Sequence, residues 1–84
     1  MSHHNLKTVQ PWFDAIWEGK KTFEVRLNDR FFIVGDTCEL MEYCESPKMK
    51  FGRAIFVKIT YVLNHSTYVR PGYCIFSFEI LSKV

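Results

Sequence analysis

Three charged residues lie within six positions of one another in the segment from Gly19 to Arg26. Lys21, Glu24 and Arg26 combine two cations with one carboxylate. Arginine is suited to bidentate contact with phosphate, and a glutamate beside a lysine can take part in acid–base chemistry. The spacing therefore indicates either a site that binds a polar or anionic ligand, or a small catalytic centre with Lys21 and Glu24 as the catalytic candidates.

The same segment has the alternating pattern of a half-buried strand. Phe23 and Val25 point to one side, which is expected to be the core, while Glu24 and Arg26 share the other side about 7 Å apart. Lys21 lies at the junction of loop and strand, where a local twist can aim it at the same spot. A solvated strand face with weak salt bridges is the alternative, because exposed ion pairs contribute little stability.

A short helix is predicted before this strand. Thr8 is a good N-cap, and Pro11 suits the first turn, where its missing N–H costs nothing. The helix is expected to end at Glu18, with Gly19 as its left-handed C′ residue. Its broad apolar face consists of Trp12, Phe13, Ile16 and Trp17.

Alternation of polar and apolar residues predicts three further strands, from Thr37 to about Tyr43, from Arg53 to Leu63 and from Tyr73 to Leu81. Turns or loops are expected at Asn28-Asp29, Val34-Gly35-Asp36, Cys44–Lys50 and Asn64–Gly72. The residues assigned to core faces are Cys38, Leu40, Ile55, Val57, Ile59, Tyr61, Leu63, Cys74, Phe76, Phe78 and Ile80, with Glu42 as a further candidate.

With a first strand around His4 to Lys7, the element order is β-α-β-β-β-β. We therefore expect one α+β, mainly β domain over residues 1–84, with about five mostly antiparallel strands and one helix. A single helix cannot cover both faces of five strands in so short a chain. Closure of the sheet into a small barrel is the economical way to bury the apolar residues and to remove exposed edges.

Composition limits the classes of function. A net charge of +2 is too mild to indicate nucleic-acid binding by itself. Three cysteines without CxxC spacing favour reduced thiols in the cytoplasm over a disulfide framework, and the histidines lack the spacing of metal ligands. No window approaches the roughly 20 apolar residues that cross a bilayer, and no signal peptide is apparent. We expect a cytoplasmic protein with no metal, no cofactor and no membrane partner.

The run from Gly19 to Arg26 resembles the G-x-K-x-x-E-x-R signature of ASCH domains, which are relatives of the PUA RNA-binding fold. The whole chain resembles most closely DUF3850, a family of small bacterial and phage proteins. The other matching features are His4-x-Leu6-Lys7, Pro11-Trp12-Phe13, Asn28-Asp29-Arg30, Val34-Gly35-Asp36, Glu42-Tyr43, Tyr61-Val62-Leu63 and Pro71-Gly72-Tyr73. The resemblance implies a PUA-like pseudobarrel with a cleft beside the helix that holds RNA, a nucleotide or a modified nucleoside.

The first functional hypothesis is therefore a binding module. Lys21 and Arg26 would contact phosphate, and Glu24 would accept a hydrogen bond from a base or ribose donor. An aromatic side chain would stack on the base, which contributes about 1–3 kcal/mol. The candidates for stacking are Tyr43, Tyr68 and Tyr73, and the residues that would extend the basic patch are His4, Lys7, Lys20 and Arg70.

Two other classes of function stay open. Some ASCH-like proteins are amidohydrolases that act on acylated cytidine with a lysine, a threonine and a distal glutamate; Lys21 matches the lysine, but Glu24 occupies the threonine position. In that hypothesis Glu24 would serve as general base to a water while Lys21 polarises a carbonyl. The other alternative is a protein-interaction module with partly exposed aromatic residues, namely Trp12, Trp17, Phe31 and Phe32.

Overall fold

Five strands and one short helix follow the predicted order in a computed structural model that describes residues 1–84. The elements are β1 (His3–Thr8), α1 (Trp12–Trp17), β2 (Phe23–Leu27), β3 (Thr37–Glu45), β4 (Lys48–Leu63) and β5 (Tyr73–Lys83). The prediction of a mainly β, α+β fold is confirmed. No helix of the structure has the length and apolarity needed to cross a bilayer.

All five strands belong to one sheet with the order β1-β3-β4-β5-β2. β1 runs parallel to β3, and the other three neighbouring pairs are antiparallel. β1 and β2 form the two edges and share no backbone ladder, so the sheet does not close into the complete barrel that the sequence suggested. Side chains bridge the opening instead: Arg26 Nη2 donates to Lys7 O over 2.8 Å, and Arg30 Nη1 donates to Asn5 O over 2.8 Å.

The core lies between the curved sheet and α1. Phe13 and Ile16 of the helix are completely buried, as are Leu40, Ile55 and Phe76 of the sheet. Burying an aromatic or branched side chain stabilises the fold by about 1.5–3 kcal/mol, so this short helix is held mainly by its packing. The core cluster is formed by Leu6, Phe13, Ile16, Phe32, Cys38, Leu40, Ile55, Val57, Ile59, Cys74, Phe76 and Phe78.

The helix begins later than the sequence predicted. Thr8 is the last residue of β1, where it pairs with Glu42 of β3, so it is not the N-cap. Pro11 occupies the N-cap position, and no side chain caps the helix there. The prediction for the other end is confirmed, because Gly19 has a φ of 80° just beyond the C-cap Glu18.

The prediction of which face of β2 meets the core was wrong. Phe23 and Val25 are 44% and 56% exposed, whereas Glu24 is only 5% exposed. Alternation shows that the two sets of side chains point to opposite sides, but it does not show which side is the interior. Glu24 tolerates the interior because cationic side chains neutralise it there, as described below.

A similar reversal occurs along β4. Ile55, Val57 and Ile59 are buried as predicted, but Tyr61 is 63% exposed and Leu63 is also exposed. The register with β5 shifts between Ile59 and Tyr61, so one extra residue turns the rest of the strand over. Val62 packs against the core in their place. On β5 Ile80 is exposed too, contrary to the prediction.

Candidate functional site

A groove with a volume of about 520 Å³ lies where the sheet fails to close. Such a volume is within the usual range for small-molecule sites, about 300–1,000 Å³. The end of β1, the turn after it, the start of α1, most of β2 and the end of β3 line the groove. Its lining residues are Lys7, Thr8, Val9, Trp12, Lys21, Phe23, Glu24, Val25, Arg26, Tyr43 and Glu45.

Glu24 is the anionic centre of the groove wall. Its Oε2 accepts a hydrogen bond from Lys21 Nζ at 2.6 Å, and its Oε1 accepts from Arg26 Nε at 3.1 Å and from Arg26 Nη2 at 2.9 Å. A buried carboxylate is strongly unfavourable unless cations and hydrogen bonds compensate it. Glu24 therefore fixes Lys21 and Arg26 beside one another as their internal counter-ion.

Arg26 connects this cluster to the opposite edge of the sheet. Its Nη2 also donates to Lys7 O at 2.8 Å and to Thr8 Oγ1 at 3.1 Å. Its Nη1 makes no hydrogen bond within the chain, so both of its N–H groups stay available. A guanidinium held this rigidly, with two donors to spare, is suited to an anionic or carbonyl acceptor.

Three aromatic rings complete the groove. Trp12 is 52% exposed at the start of α1, and Phe23 is exposed on β2. Lys7 Nζ lies 4.7 Å from the centroid of the Tyr43 ring, and Lys21 Nζ lies 4.8 Å from that of Phe23. Cations at this distance from a ring make favourable cation–π contacts. The groove thus presents apolar ring surface and positive charge side by side.

The structure brings together five of the seven binding residues predicted from the sequence, namely Lys7, Lys21, Glu24, Arg26 and Tyr43. It places His4 and Tyr73 elsewhere. The His4 ring is buried, with Nε2 2.9 Å from Asp36 Oδ2 and its edge toward the Phe32 ring. Since β1 alternates, His4 points into the core and Lys7 away from it.

Tyr73 lines a second, smaller cavity of about 290 Å³ on the outer face of the sheet. Tyr68 and Arg70 line the same cavity, and the guanidinium of Arg70 lies 5.6 Å from the Tyr73 ring. Lys20 is exposed and pairs with Glu18 at 3.0 Å. These four residues, which the sequence grouped with the basic or stacking candidates, do not contribute to the groove.

The sequence matches the family described as Domain of unknown function (DUF3850) over residues 3–78. The chain belongs to the DUF3850 family. The matched span includes every residue that lines the groove and all of the first four strands. No curated protein sequence gives a significant match to the chain.

Sequence reasoning missed several groove residues of this DUF3850 protein, above all Trp12 and Phe23. Phe23 was assigned to the core side of its strand and Trp12 to the apolar face of the helix, and exposure of Trp12 was considered only for a protein-interaction module. One signal could have identified Trp12: two turns of helix cannot turn four large aromatic and aliphatic residues toward one small core. Trp17 is accordingly only partly buried, and of the Phe31-Phe32 pair the first is exposed and the second buried.

A second ion cluster lies outside the groove, where α1 meets the sheet. Arg53 donates from Nε to Glu42 Oε1 at 2.8 Å and from Nη2 to Glu42 Oε2 at 2.9 Å and to Asp14 Oδ1 at 2.8 Å. The hydrogen bonds from Arg53 are the main reason why the pKa of Glu42 is lowered. The pKa of Asp14 is lowered chiefly by its hydrogen bond with Gln10 and then by Arg53. This cluster ties the helix to β3 and β4.

Buried Asp36 organises the turn before β3. Burial acts to raise its pKa, but hydrogen bonds from His4 and from the backbone N–H groups of Ser2 and Ile33 outweigh burial, so the pKa lies below the ordinary 3.8. Asp36 thereby joins the start of β1 to the turn. We assign Asp36 a structural role, because neither Asp36 nor any of its hydrogen-bond partners lines the groove.

Two of the three cysteines, Cys38 and Cys74, lie in the core. Cys38 and Cys74 are buried and unpaired, and burial raises the pKa of Cys38 to about 12 and raises that of Cys74 as well. Thiols of this kind are unreactive, because the thiolate is the nucleophile. No three side chains among the His, Cys, Asp and Glu residues come together as metal ligands.

Proposed function

We propose that this DUF3850 protein is a binding module of the PUA-like (ASCH) type and that its groove holds a nucleotide or a nucleotide unit of single-stranded RNA. The observation that carries the proposal is the meeting of three cations and three aromatic rings in one groove of about 520 Å³. The cations are Lys7, Lys21 and Arg26, and the rings are those of Trp12, Phe23 and Tyr43.

The chemistry of each group assigns it a role. Arg26 Nη1 and the amine of Lys7 contact the phosphate, since neither donates to a carboxylate of the chain. Trp12 and Phe23 offer exposed ring faces on which a base stacks, an interaction that all bases share because each has a π face. Glu24 keeps Lys21 and Arg26 in place, and its negative charge compensates the repulsion between these two cations.

The hydrogen bonds of Glu24 favour binding over hydrolysis. A general base must direct an oxygen toward the water that it deprotonates. Both oxygens of Glu24 instead accept hydrogen bonds from cations, three in total. We expect no hydrolysis of N4-acetylcytidine in a product assay; turnover that Lys21→Ala abolishes would make the amidohydrolase hypothesis the better one.

The proposal includes a cytoplasmic location. Cys38, Cys44 and Cys74 are all unpaired, and two of them are buried in the core as reduced thiols. Reduced cysteines are the usual state in the cytoplasm, where nucleotides and RNA are also available.

The test is a titration of the full chain with the four ribonucleoside monophosphates and with a short single-stranded RNA of mixed sequence. Binding is measured by calorimetry, and the groove is located by NMR chemical-shift changes. We expect the affinity to fall as the salt concentration rises, because phosphate contacts carry part of it. Affinity that does not change with salt would contradict the phosphate role of Arg26 and Lys7.

Two pairs of variants locate the binding surface. Trp12→Ala should weaken binding by about tenfold, since stacking on one ring contributes about 1–3 kcal/mol. Its control is Tyr68→Ala, an exposed tyrosine outside the groove. Lys7→Gln should weaken binding several-fold, whereas Lys58→Gln, exposed on β4, should not. Equal effects within either pair would place the ligand elsewhere.

A further inference from the structure

The free edge of β2 presents unpaired backbone groups to the groove. At one end of the strand, Asn28 N–H donates to Gly72 O at 2.8 Å. At the other end, Phe78 N–H donates to Thr22 O at 3.2 Å. The main-chain N–H and C=O groups of the even-numbered residues of β2 therefore point toward β5. In an antiparallel pair, alternate residues direct N–H and C=O to opposite sides, so Phe23, Val25 and Leu27 direct theirs to the free edge.

Contacts of the neighbouring side chains agree with this direction. Lys21 Nζ donates to Phe23 O at 2.6 Å, which requires that this carbonyl point away from β5. Val25, two residues after Phe23, differs in this respect. No side chain donates to Val25 O or accepts from Val25 N–H, so this donor and acceptor are free within the chain.

Val25 lies in the middle of the groove wall. The groove is lined by the four consecutive residues from Phe23 to Arg26, whose side chains alternate between the two faces of the sheet. A groove that contacts both faces must run along the backbone edge of the strand. Val25 lines both the groove and the outer cavity, and the ladder with β5 directs its N–H and C=O to the free edge along which the groove runs.

One extended residue offers a hydrogen-bond donor and acceptor side by side, the arrangement that a neighbouring strand would use. The Watson–Crick edge of every nucleobase also carries a donor next to an acceptor, and these groups are accessible only when the base is unpaired. Exposed rings flank this edge, with Phe23 beside Val25 on β2 and Trp12 lining the same groove.

We infer that the Val25 N–H and C=O bind the Watson–Crick edge of an unpaired base, an inference that rests on the proposed function. The site therefore accepts a free nucleotide or a single-stranded nucleotide and excludes a base in a duplex. It also rejects a base that carries a methyl group on that edge. The recognition is made by main-chain atoms, so it is independent of the Val25 side chain.

The first experiment compares uridine 5′-monophosphate with two methylated forms in calorimetric titrations of the full chain. N3-methylation removes the donor of the Watson–Crick edge, while C5-methylation adds the same group elsewhere on the ring, and both leave the base uncharged. We expect N3-methylation to weaken binding by about tenfold, as for loss of a paired hydrogen-bond contact, and C5-methylation to change it less than threefold. Inosine and 1-methylinosine 5′-monophosphates repeat the comparison for a purine.

The outcomes separate the two levels of the proposal. Equal affinity for the N3-methyl and C5-methyl forms would overturn recognition through the edge while leaving nucleotide binding intact. Absence of binding to every unmethylated nucleotide and to single-stranded RNA would overturn the proposed function itself. Single-stranded RNA and a duplex of the same sequence form a further arm. Tighter binding of the single strand than of the monophosphates would identify RNA as the source of the nucleotide, whereas equal binding of strand and duplex would overturn the inference.

A backbone variant tests the protein side. Val25→Pro removes the N–H, which does not belong to the ladder with β5, and proline is tolerated at such positions of edge strands. Val25→Thr is the control, because it changes the side chain and keeps the N–H. We expect Val25→Pro, and not Val25→Thr, to abolish the preference for uridine over N3-methyluridine 5′-monophosphate. If Val25→Pro does not fold, as judged by circular dichroism, the comparison of methylated nucleotides decides alone.

Discussion

The molecule contains two buried glutamates, Glu24 and Glu42, and each is held by an arginine. Glu24 receives Lys21 and Arg26, which lie within three residues of it in the sequence. Glu42 receives Arg53 from the neighbouring strand, and Arg53 continues to Asp14 on the helix. The two clusters use the same chemistry, yet one borders a groove and the other joins a helix to a sheet.

The surroundings of the arginine make the difference. The guanidinium of Arg53 lies 5.1 Å and 5.0 Å from the ring centroids of Phe13 and Trp17, where it forms part of the packing of α1. Arg26 instead crosses the open seam of the sheet and lines the groove. Two clusters built on the same glutamate–arginine contact thus serve different purposes, and the free space beside them decides which one can bind a ligand.

The largest effect is expected from Glu24→Gln. The change leaves Lys21 and Arg26 close together without an anion, and breaking a buried ion cluster on one side typically costs about 3 kcal/mol. We expect the free energy of unfolding, measured with urea and tryptophan fluorescence, to fall by about this amount. Glu79→Gln, an exposed residue of β5, is the control. Equal stability of the two variants would show that Glu24 is not the counter-ion of the cluster.

Arg53→Met should have the next largest effect and should separate the two clusters. The variant keeps an apolar stem against Phe13 and Trp17 but loses the hydrogen bonds to Glu42 and Asp14. We expect a smaller loss of stability than for Glu24→Gln, because solvent screens this partly exposed cluster. Nucleotide affinity should stay unchanged, whereas Arg26→Met should lower both. A large drop in affinity for Arg53→Met would mean that the clusters are coupled.

Acid should weaken the Arg53 cluster by protonating its carboxylates, Glu42 and Asp14. The pKa values of Glu42 and Asp14 lie below the ordinary 4.5 and 3.8, so their stabilising contribution is fully present above those values and is lost as the pH falls through the lowered ones. Asp36 contributes with the same sign. We therefore expect stability to change little above about pH 5 and to decrease below about pH 4.

The measurement is urea unfolding as a function of pH for the wild type and two variants. Glu42→Gln should be less stable at neutral pH and should show a flatter decrease below pH 4, because one of the titrating groups is gone. Glu79→Gln should keep the slope of the wild type. A slope unaltered by Glu42→Gln would assign the acid sensitivity to other carboxylates.

The smallest effect is expected on the outer face of β2. Val25→Thr places a hydroxyl on an exposed side chain, so stability should change by less than about 0.5 kcal/mol. Val57→Thr makes the same change at a completely buried position and should cost about 1–3 kcal/mol, since the hydroxyl lacks a partner. Similar losses for both would contradict the exposed position of Val25.

Much of the fold followed from local patterns in the sequence. Turn residues and alternation gave the order of the elements, and Gly35, like Gly19, has the positive φ expected of its turn, 96°. The groove residues Lys21, Glu24 and Arg26 could also be predicted from the sequence, because they are neighbours in the chain as well as in space. A local cluster is visible to any method that inspects a short window of sequence.

The parts that were missed depend on long-range geometry. Alternation is symmetric, so it did not show that Glu24 rather than Phe23 faces inward. The shift after Ile59 follows from the pairing of β4 with β5, and no residue in β4 signals it. His4 meets Asp36 and Arg53 meets Asp14 only after distant segments come together. The contact with Asp36 accompanies the burial of His4, which the sequence had suggested as a ligand residue. The contact between Arg53 and Asp14 joins residues that are far apart in the sequence.

The arginines that cross the seam also cover part of the exposed β1 edge of the sheet. A strand at the edge of a sheet offers its carbonyl groups to any other extended chain and so promotes aggregation, unless charged side chains or bulges obstruct it. On β1 the carbonyls of Asn5 and Lys7 are already occupied by Arg30 and Arg26. A second extended chain that approaches the β1 edge finds these two acceptors taken and two guanidinium groups in its path, so strand pairing at this edge is obstructed.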